Sequence, residues 1–132
     1  MRRYIQIAIA SVLLLLGWGC GGSGNPYNGF WTGTWTESTP AQNGTLTLNI
    51  VGNVVAGSIT NATLSYSGSV TGTVDSSGNL SITCSLSSNG TQEYTSTVTG
   101  VVTALNGTMT ASSLSEQRVP GSTYTMSVSL TD

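Results

Sequence analysis

The side chains able to do ionic or nucleophilic chemistry in this sequence are few. They are the carboxylates Glu37, Asp75, Glu93, Glu116 and Asp132, the cations Arg2, Arg3 and Arg118, and the thiols Cys20 and Cys84, with no histidine or lysine among the 132 residues. Without histidine, neither a Cys-His pair nor a Ser-His-Asp triad can be assembled, and without lysine there is no Schiff-base nucleophile. A glycoside hydrolase would need two carboxylates facing each other across a cleft. Pairing of Glu37 with Glu116 or Glu93 is left open. The expected placement is at solvated loops and strand ends: Glu37 and Glu93 flank strands, Asp75 sits in a turn, Glu116 precedes the last strand and Asp132 is terminal. Cys84 lies between Ile82 and Leu86 on an apolar face, where a thiol behaves as a small, inert hydrophobe. No catalytic residue, metal ligand or cofactor is expected, and the chain reads as a non-enzyme.

The elements that would carry these residues are strands. Leu46, Leu48 and Ile50 alternate with Thr45, Thr47 and Asn49, and the same period of two runs through Leu80, Ile82, Cys84 and Leu86 and through Tyr124, Met126, Val128 and Leu130. Asn43-Gly44, Asn89-Gly90 and Asn106-Gly107 are hairpin dipeptides, because both positions tolerate positive φ. Gly52-Asn53, Asn61-Ala62 and Asp75-Ser76-Ser77-Gly78 read as further reversals. Eight strands follow, near 30–37, 44–51, 54–60, 63–74, 79–87, 91–103, 106–113 and 122–131. Short links make consecutive strands antiparallel neighbours.

The pattern V-x-G-x-[IV] recurs at Val55–Ile59, Val70–Val74 and Val98–Val102, each time with glycine on the apolar face in mid-strand. Such a glycine weakens a strand unless the sheet bends sharply there or another group approaches closely. Closure of a small barrel needs such bends. The fold class is therefore all-β, an antiparallel up-and-down meander closing into a barrel, with a β-sandwich as the alternative. Period two alone leaves open a transmembrane barrel with its apolar face outward, but the polar face is almost purely Ser and Thr and the aromatic girdles of such barrels are missing.

Ahead of the barrel, Met1-Arg2-Arg3 is a positive n-region and Tyr4–Leu16 an apolar stretch too short to span a bilayer comfortably, as in a secretory signal. Gly19-Cys20 directly after it resembles the lipobox of bacterial lipoproteins. That family usually has Leu three residues before the cysteine, where this chain has Gly17. The resemblance implies a signal peptide over 1–19, lipidation at Cys20 and a membrane anchor through the acyl chains. Residues 20–29, rich in Gly, Ser and Asn, have the composition of a flexible tether, and 30–132 form the single barrel domain. Residues 20–132 carry one cation, Arg118, against the five carboxylates, a formal charge of −4. One cation cannot supply the basic footprint that nucleic acid requires.

Gly33-Thr34-Trp35 resembles the Gly-x-Trp opening of the lipocalin and avidin-like barrels, the calycins. The resemblance implies an eight-stranded barrel holding a small ligand, with the tryptophan closing one end. Calycins also tend to pack a cation from near the last strand over that tryptophan, and here Arg118, the available cation, comes before the last strand.

Two non-catalytic functions are then expected in the bacterial cell envelope, at the outer membrane on its periplasmic or surface face. One is a structural or interaction module with a packed interior, which meets envelope proteins through its Ser/Thr surface. The alternative is a carrier of a small apolar ligand. Leu46, Leu48, Val70, Ile82, Val98, Met109, Met126 and Val128 would supply its apolar lining, with Trp35 at one end. Tyr66, Tyr94 and Tyr124 would add hydroxyls, while the inward glycines with Ser96, Ala111 and Ser113 leave room.

Overall fold

A computed structural model describes residues 25–132. The elements are β1 (Gly29–Ser38), β2 (Ala41–Val51), β3 (Val54–Asn61), β4 (Tyr66–Val74), β5 (Asn79–Ser88), β6 (Thr91–Val101), β7 (Thr103–Leu105), β8 (Thr108–Val119) and β9 (Thr123–Thr131). Every pairing is antiparallel. β1 to β6 form a meander, β9 returns to β1, and β8 pairs with both β9 and β6. The circuit closes into an eight-stranded barrel, and β7 adds a three-residue hairpin arm against the start of β8. Closure overturns the sandwich alternative.

The alternation decides which face is inside. Leu46, Leu48 and Ile50 of β2, Leu80, Ile82, Cys84 and Leu86 of β5, and Met126, Val128 and Leu130 of β9 are all buried in one apolar core. Thr45, Thr47 and Ser81 take the outer wall. The outward-apolar transmembrane arrangement is therefore not the one adopted.

Tight reversals appear where Asn-Gly allows them. Asn89 and Gly90 have φ of 49° and 80°, and Asn106 and Gly107 have 52° and 73°. Asn43-Gly44 is a correction: these residues lie inside β2, opposite Thr36 and Trp35, and the reversal is at Thr39-Pro40. Gly44 faces inward, where a Cβ would stand 2.8 Å from the Trp35 indole nitrogen and collide with the Thr60 carbonyl oxygen. The glycine is needed for space, so that the indole can reach Thr60 and donate to that oxygen at 2.8 Å. Gly57, from the recurring pattern, likewise has the Thr47 backbone against its inner side, so close approach of a neighbouring strand accounts for it.

The second correction concerns β8. The alternation breaks near residue 113 because a bulge between Ala111 and Leu114 shifts the register against β9. Beyond the bulge the strand continues to Val119, with Leu114, Glu116 and Arg118 inward. Residues 114–119 are thus sheet, not loop.

A third difference lies at the entry. Asn25–Asn28 have tether composition, yet they pack on the barrel. The Tyr27 ring joins the core, its hydroxyl donates to the Val102 carbonyl at 2.9 Å, and Trp31 Nε1 donates to the Tyr27 carbonyl at 2.8 Å. The Tyr27 ring, these two hydrogen bonds and the bond from Asn25 Nδ2 to the Val74 carbonyl hold this segment down. It stoppers the end of the barrel at which the chain enters.

Candidate functional site

At the opposite end, strand alternation carries polar side chains inward from six strands. Glu37 follows Trp31 and Trp35 on the inner face of β1, Gln42 precedes Leu46 on β2, and Asn61 ends β3. Tyr94 stands near the start of β6, Glu116 and Arg118 near the end of β8, and Tyr124 near the start of β9.

They converge on Arg118, which is the cation of the described residues. Its Nε donates to Glu116 Oε1 at 2.7 Å, its Nη1 to Gln42 Oε1 at 2.8 Å, and its Nη2 to Glu37 Oε2 and Oε1 at 2.9 and 3.1 Å. The guanidinium carbon lies 4.5 Å from the centre of the Tyr94 ring and 4.2 Å from that of Tyr124, within cation–π range of both. Asn61 Nδ2 donates to Gln42 Oε1 at 2.9 Å and to the Tyr94 hydroxyl at 3.3 Å, while Asn61 Oδ1 accepts from the Leu64 amide. The side chains of Glu37, Glu116 and Arg118 are 0, 2 and 5% exposed.

Burying two carboxylates with one guanidinium leaves a charge imbalance, and a proton corrects it. Burial, together with the hydrogen bond and negative charge of Glu116, pushes the Glu37 carboxyl up to about 8 against the smaller opposing pull of Arg118. Glu37 therefore holds its proton at neutral pH. For Arg118, burial acts downward but the bonds and charges of Glu116, Tyr94 and Glu37 outweigh it, and its pKa is raised. Burial also raises the Tyr94 phenol.

This arrangement corrects the expectation that Glu37 and Glu116 are solvated strand and loop ends. They meet, but on a shared guanidinium rather than across a cleft, so they are not placed for glycosidic acid/base work. The cluster can close the barrel end and fix the register of β1, β2 and β8 around one side chain. Sequence reasoning missed Gln42 and Asn61, and it left the pairing of Glu37 with Glu116 open without placing either carboxyl on Arg118. The signal available was phase: Glu37 is two residues beyond Trp35, and Glu116 and Arg118 are themselves two apart.

The expected ligand-lining residues are distributed along the barrel rather than gathered. Trp35, Val98, Met109 and Met126 are buried in the apolar core, with Met109 registered opposite Leu130 toward the chain-entry end. Tyr66 and Tyr124 are half-buried at the Arg118 end, and Tyr66 meets Tyr94 edge-on at 6.0 Å between ring centres. Cys20, the expected lipidation site, lies outside the described residues. Cys84 is buried, and burial pushes its thiol up to about 12 despite the Ser96 hydroxyl beside it, with Glu116 adding to the rise. Ser96 Oγ has no other partner in the interior.

On the outer wall, β1 and β9 separate beyond the Glu37–Met126 pair. A groove of about 500 Å³ opens there, lined by Thr36, Glu37, Ser38, Ala41, Ser112, Thr125 and Ser127.

The chain matches no family model, no curated protein and no solved structure.

Proposed function

We propose that this protein is a non-catalytic, lipid-anchored barrel of the bacterial cell envelope, calycin-like in plan, which works as a structural or interaction module through its outer surface. The observation that carries this reading is the committed interior. Trp35, Leu48, Ile50, Ile82, Leu86, Met109, Leu114, Met126 and Leu130 are each less than 2% exposed, and they come from strands all round the barrel. One end is stoppered by Tyr27 over Trp31 and the other by the Arg118 cluster. A partner would then meet the Ser/Thr wall, where the hydroxyl-lined groove beside β1 and β9 offers hydrogen bonds to a polar segment.

The carrier alternative has one observation in its favour. Ser96 Oγ, buried with only a thiol beside it, would be satisfied by the polar atom of a guest.

The anchor is tested by mass spectrometry of the amino-terminal peptide of the mature protein. An acyl mass on Cys20, lost with altered processing in Cys20→Ala, supports the anchored module. A mature peptide without acyl groups removes the membrane from the proposal.

A further inference from the structure

Large apolar side chains on the outer wall are unevenly distributed. Among the described residues, Phe30, Val51, Val54, Val101 and Leu105 are 58 to 71% exposed, and all five sit at the rim where the chain enters. Phe30 is the second residue of β1, Val51 and Val54 face each other across the β2–β3 turn, Val101 closes β6 and Leu105 closes β7. At the far rim only Leu64 and Val119 are exposed in this way. Elsewhere the outward positions are mainly Ser, Thr and Asn, so the apolar rim is not a general property of this wall.

The entry point is fixed to the same rim. Asn25 Nδ2 donates to the Val74 carbonyl at 2.8 Å and to the Gly52 carbonyl at 3.0 Å, which ties the chain to the β2–β3 turn and the end of β4. Asn25 is five chain steps beyond Cys20, with four residues between them. A fully extended chain covers at most about 3.6 Å per residue, so Cys20 lies within about 18 Å of Asn25. An acyl anchor at Cys20 thus holds this rim against the headgroups and keeps the Arg118 end away from them. The charge of the rim selects among lipids. Asp75 in the β4–β5 turn and Asp132 beyond β9 are acidic, and Arg118 is buried at the other end, so among the described residues no cation at this rim attracts anionic headgroups.

We propose that the rim bearing Phe30, Val51, Val54, Val101 and Leu105 is a membrane-seating collar, which docks the barrel end-on against a zwitterionic lipid surface. The proposal rests on the anchored reading of Cys20. Side chains of this kind at the end of a short tether are buried in the interfacial region as the acyl chains enter the bilayer. The barrel then stands upright, with the β1–β9 groove and the Arg118 end presented away from the lipid.

The test uses the full-length protein purified from its own membrane, reconstituted in phosphatidylcholine vesicles and recovered by flotation. A nitroxide is placed at Leu105→Cys or, on the opposite rim, at Val119→Cys; the buried Cys84 thiol stays unlabelled in the folded protein. The collar predicts a ratio of oxygen to aqueous nickel-chelate collisions severalfold higher at position 105 than at 119, with no rise when phosphatidylglycerol is added. A protein that floats with equally wet labels keeps its anchor and overturns the collar. Dipolar broadening between copies labelled at 105, without preference for oxygen, means that a second copy covers the rim and also overturns it. A protein that does not float lacks the anchor, and the collar falls with it.

Discussion

Glu37 and Arg118 are 81 residues apart in sequence, yet both carboxyl oxygens of the first lie within 3.1 Å of one guanidinium nitrogen of the second. The contact ties the end of β1 to the end of β8, two strands separated in the sheet by β9. The chemistry of this barrel end follows from that closure. A guanidinium taken out of water needs most of its donors satisfied, and Glu116, Gln42 and Glu37 supply the acceptors while two tyrosine rings cover its faces.

Removing the cation leaves its partners stranded. Arg118→Met should destabilise the barrel by about 3–5 kcal/mol, the usual penalty for breaking one side of a buried ion pair. Urea unfolding followed by tryptophan fluorescence measures it. Adding Glu37→Leu and Glu116→Leu to the same chain should return most of the loss, because no unpaired charge remains. A single variant as stable as the parent would mean that the cluster is solvated.

Glu37 gives stability a pH dependence of definite sign. Its carboxyl stands at about 8 in the folded barrel against 4.5 when unperturbed, so between these values the folded state holds a proton that the unfolded chain has released. This contribution is fully present below pH 4.5 and is lost as pH rises toward about 8. Denaturation midpoints measured across that window should fall with rising pH, and Glu37→Gln, which mimics the protonated acid, should flatten the trend. A midpoint that rises over the window in the parent but not in Glu37→Gln would contradict the assignment.

Cys84 should be almost unreactive in the native state, since its thiol is buried and held near 12. Labelling with a maleimide at neutral pH should accelerate by orders of magnitude when the barrel is unfolded in urea. Equal rates with and without urea would place Cys84 on the outer wall and reverse the inward phase of β5.

Gly57→Ala adds one methyl group where the Thr47 backbone already stands, with Leu48 Cα at 3.1 Å. Backbone cannot swing aside as a side chain can, so the variant should lose about 1–3 kcal/mol, in the range of overpacked sites. Gly90→Ala meets open space but retains a positive φ, so its smaller loss separates steric from conformational cost. A Gly57→Ala barrel no less stable than Gly90→Ala would contradict the tight pairing of β2 and β3.

The strands were legible because alternation in β2, β5 and β9 is nearly unbroken, with Leu, Ile, Met and Val against Ser and Thr. The recurring inward glycines pointed to a barrel, although Gly57 serves the close approach of the Thr47 backbone rather than a bend. The Arg118 cluster was not legible, for two physical reasons. Buried charges reverse the hydrophobic signal on which period-two reading depends, so Glu37 and Glu116 looked solvated and nothing placed Arg118 inside. The bulge before Leu114 also shifts the phase of β8, and alternation counted from Met109 stops being informative at that point. Asn43-Gly44 misled for a related reason, since its glycine makes room for Trp35 instead of turning the chain.

The central claim is that the interior is committed to its own packing and that partners bind outside. Native mass spectrometry of the protein, purified from its own membrane without denaturation, tests it most directly. The account predicts the mass of the acylated chain with no small-molecule guest, unchanged when Val98 or Met126 is replaced by a slightly smaller side chain. A stoichiometric apolar guest, released when Val98→Trp or Met126→Trp fills the barrel, would contradict the packed-interior account and make the protein a carrier.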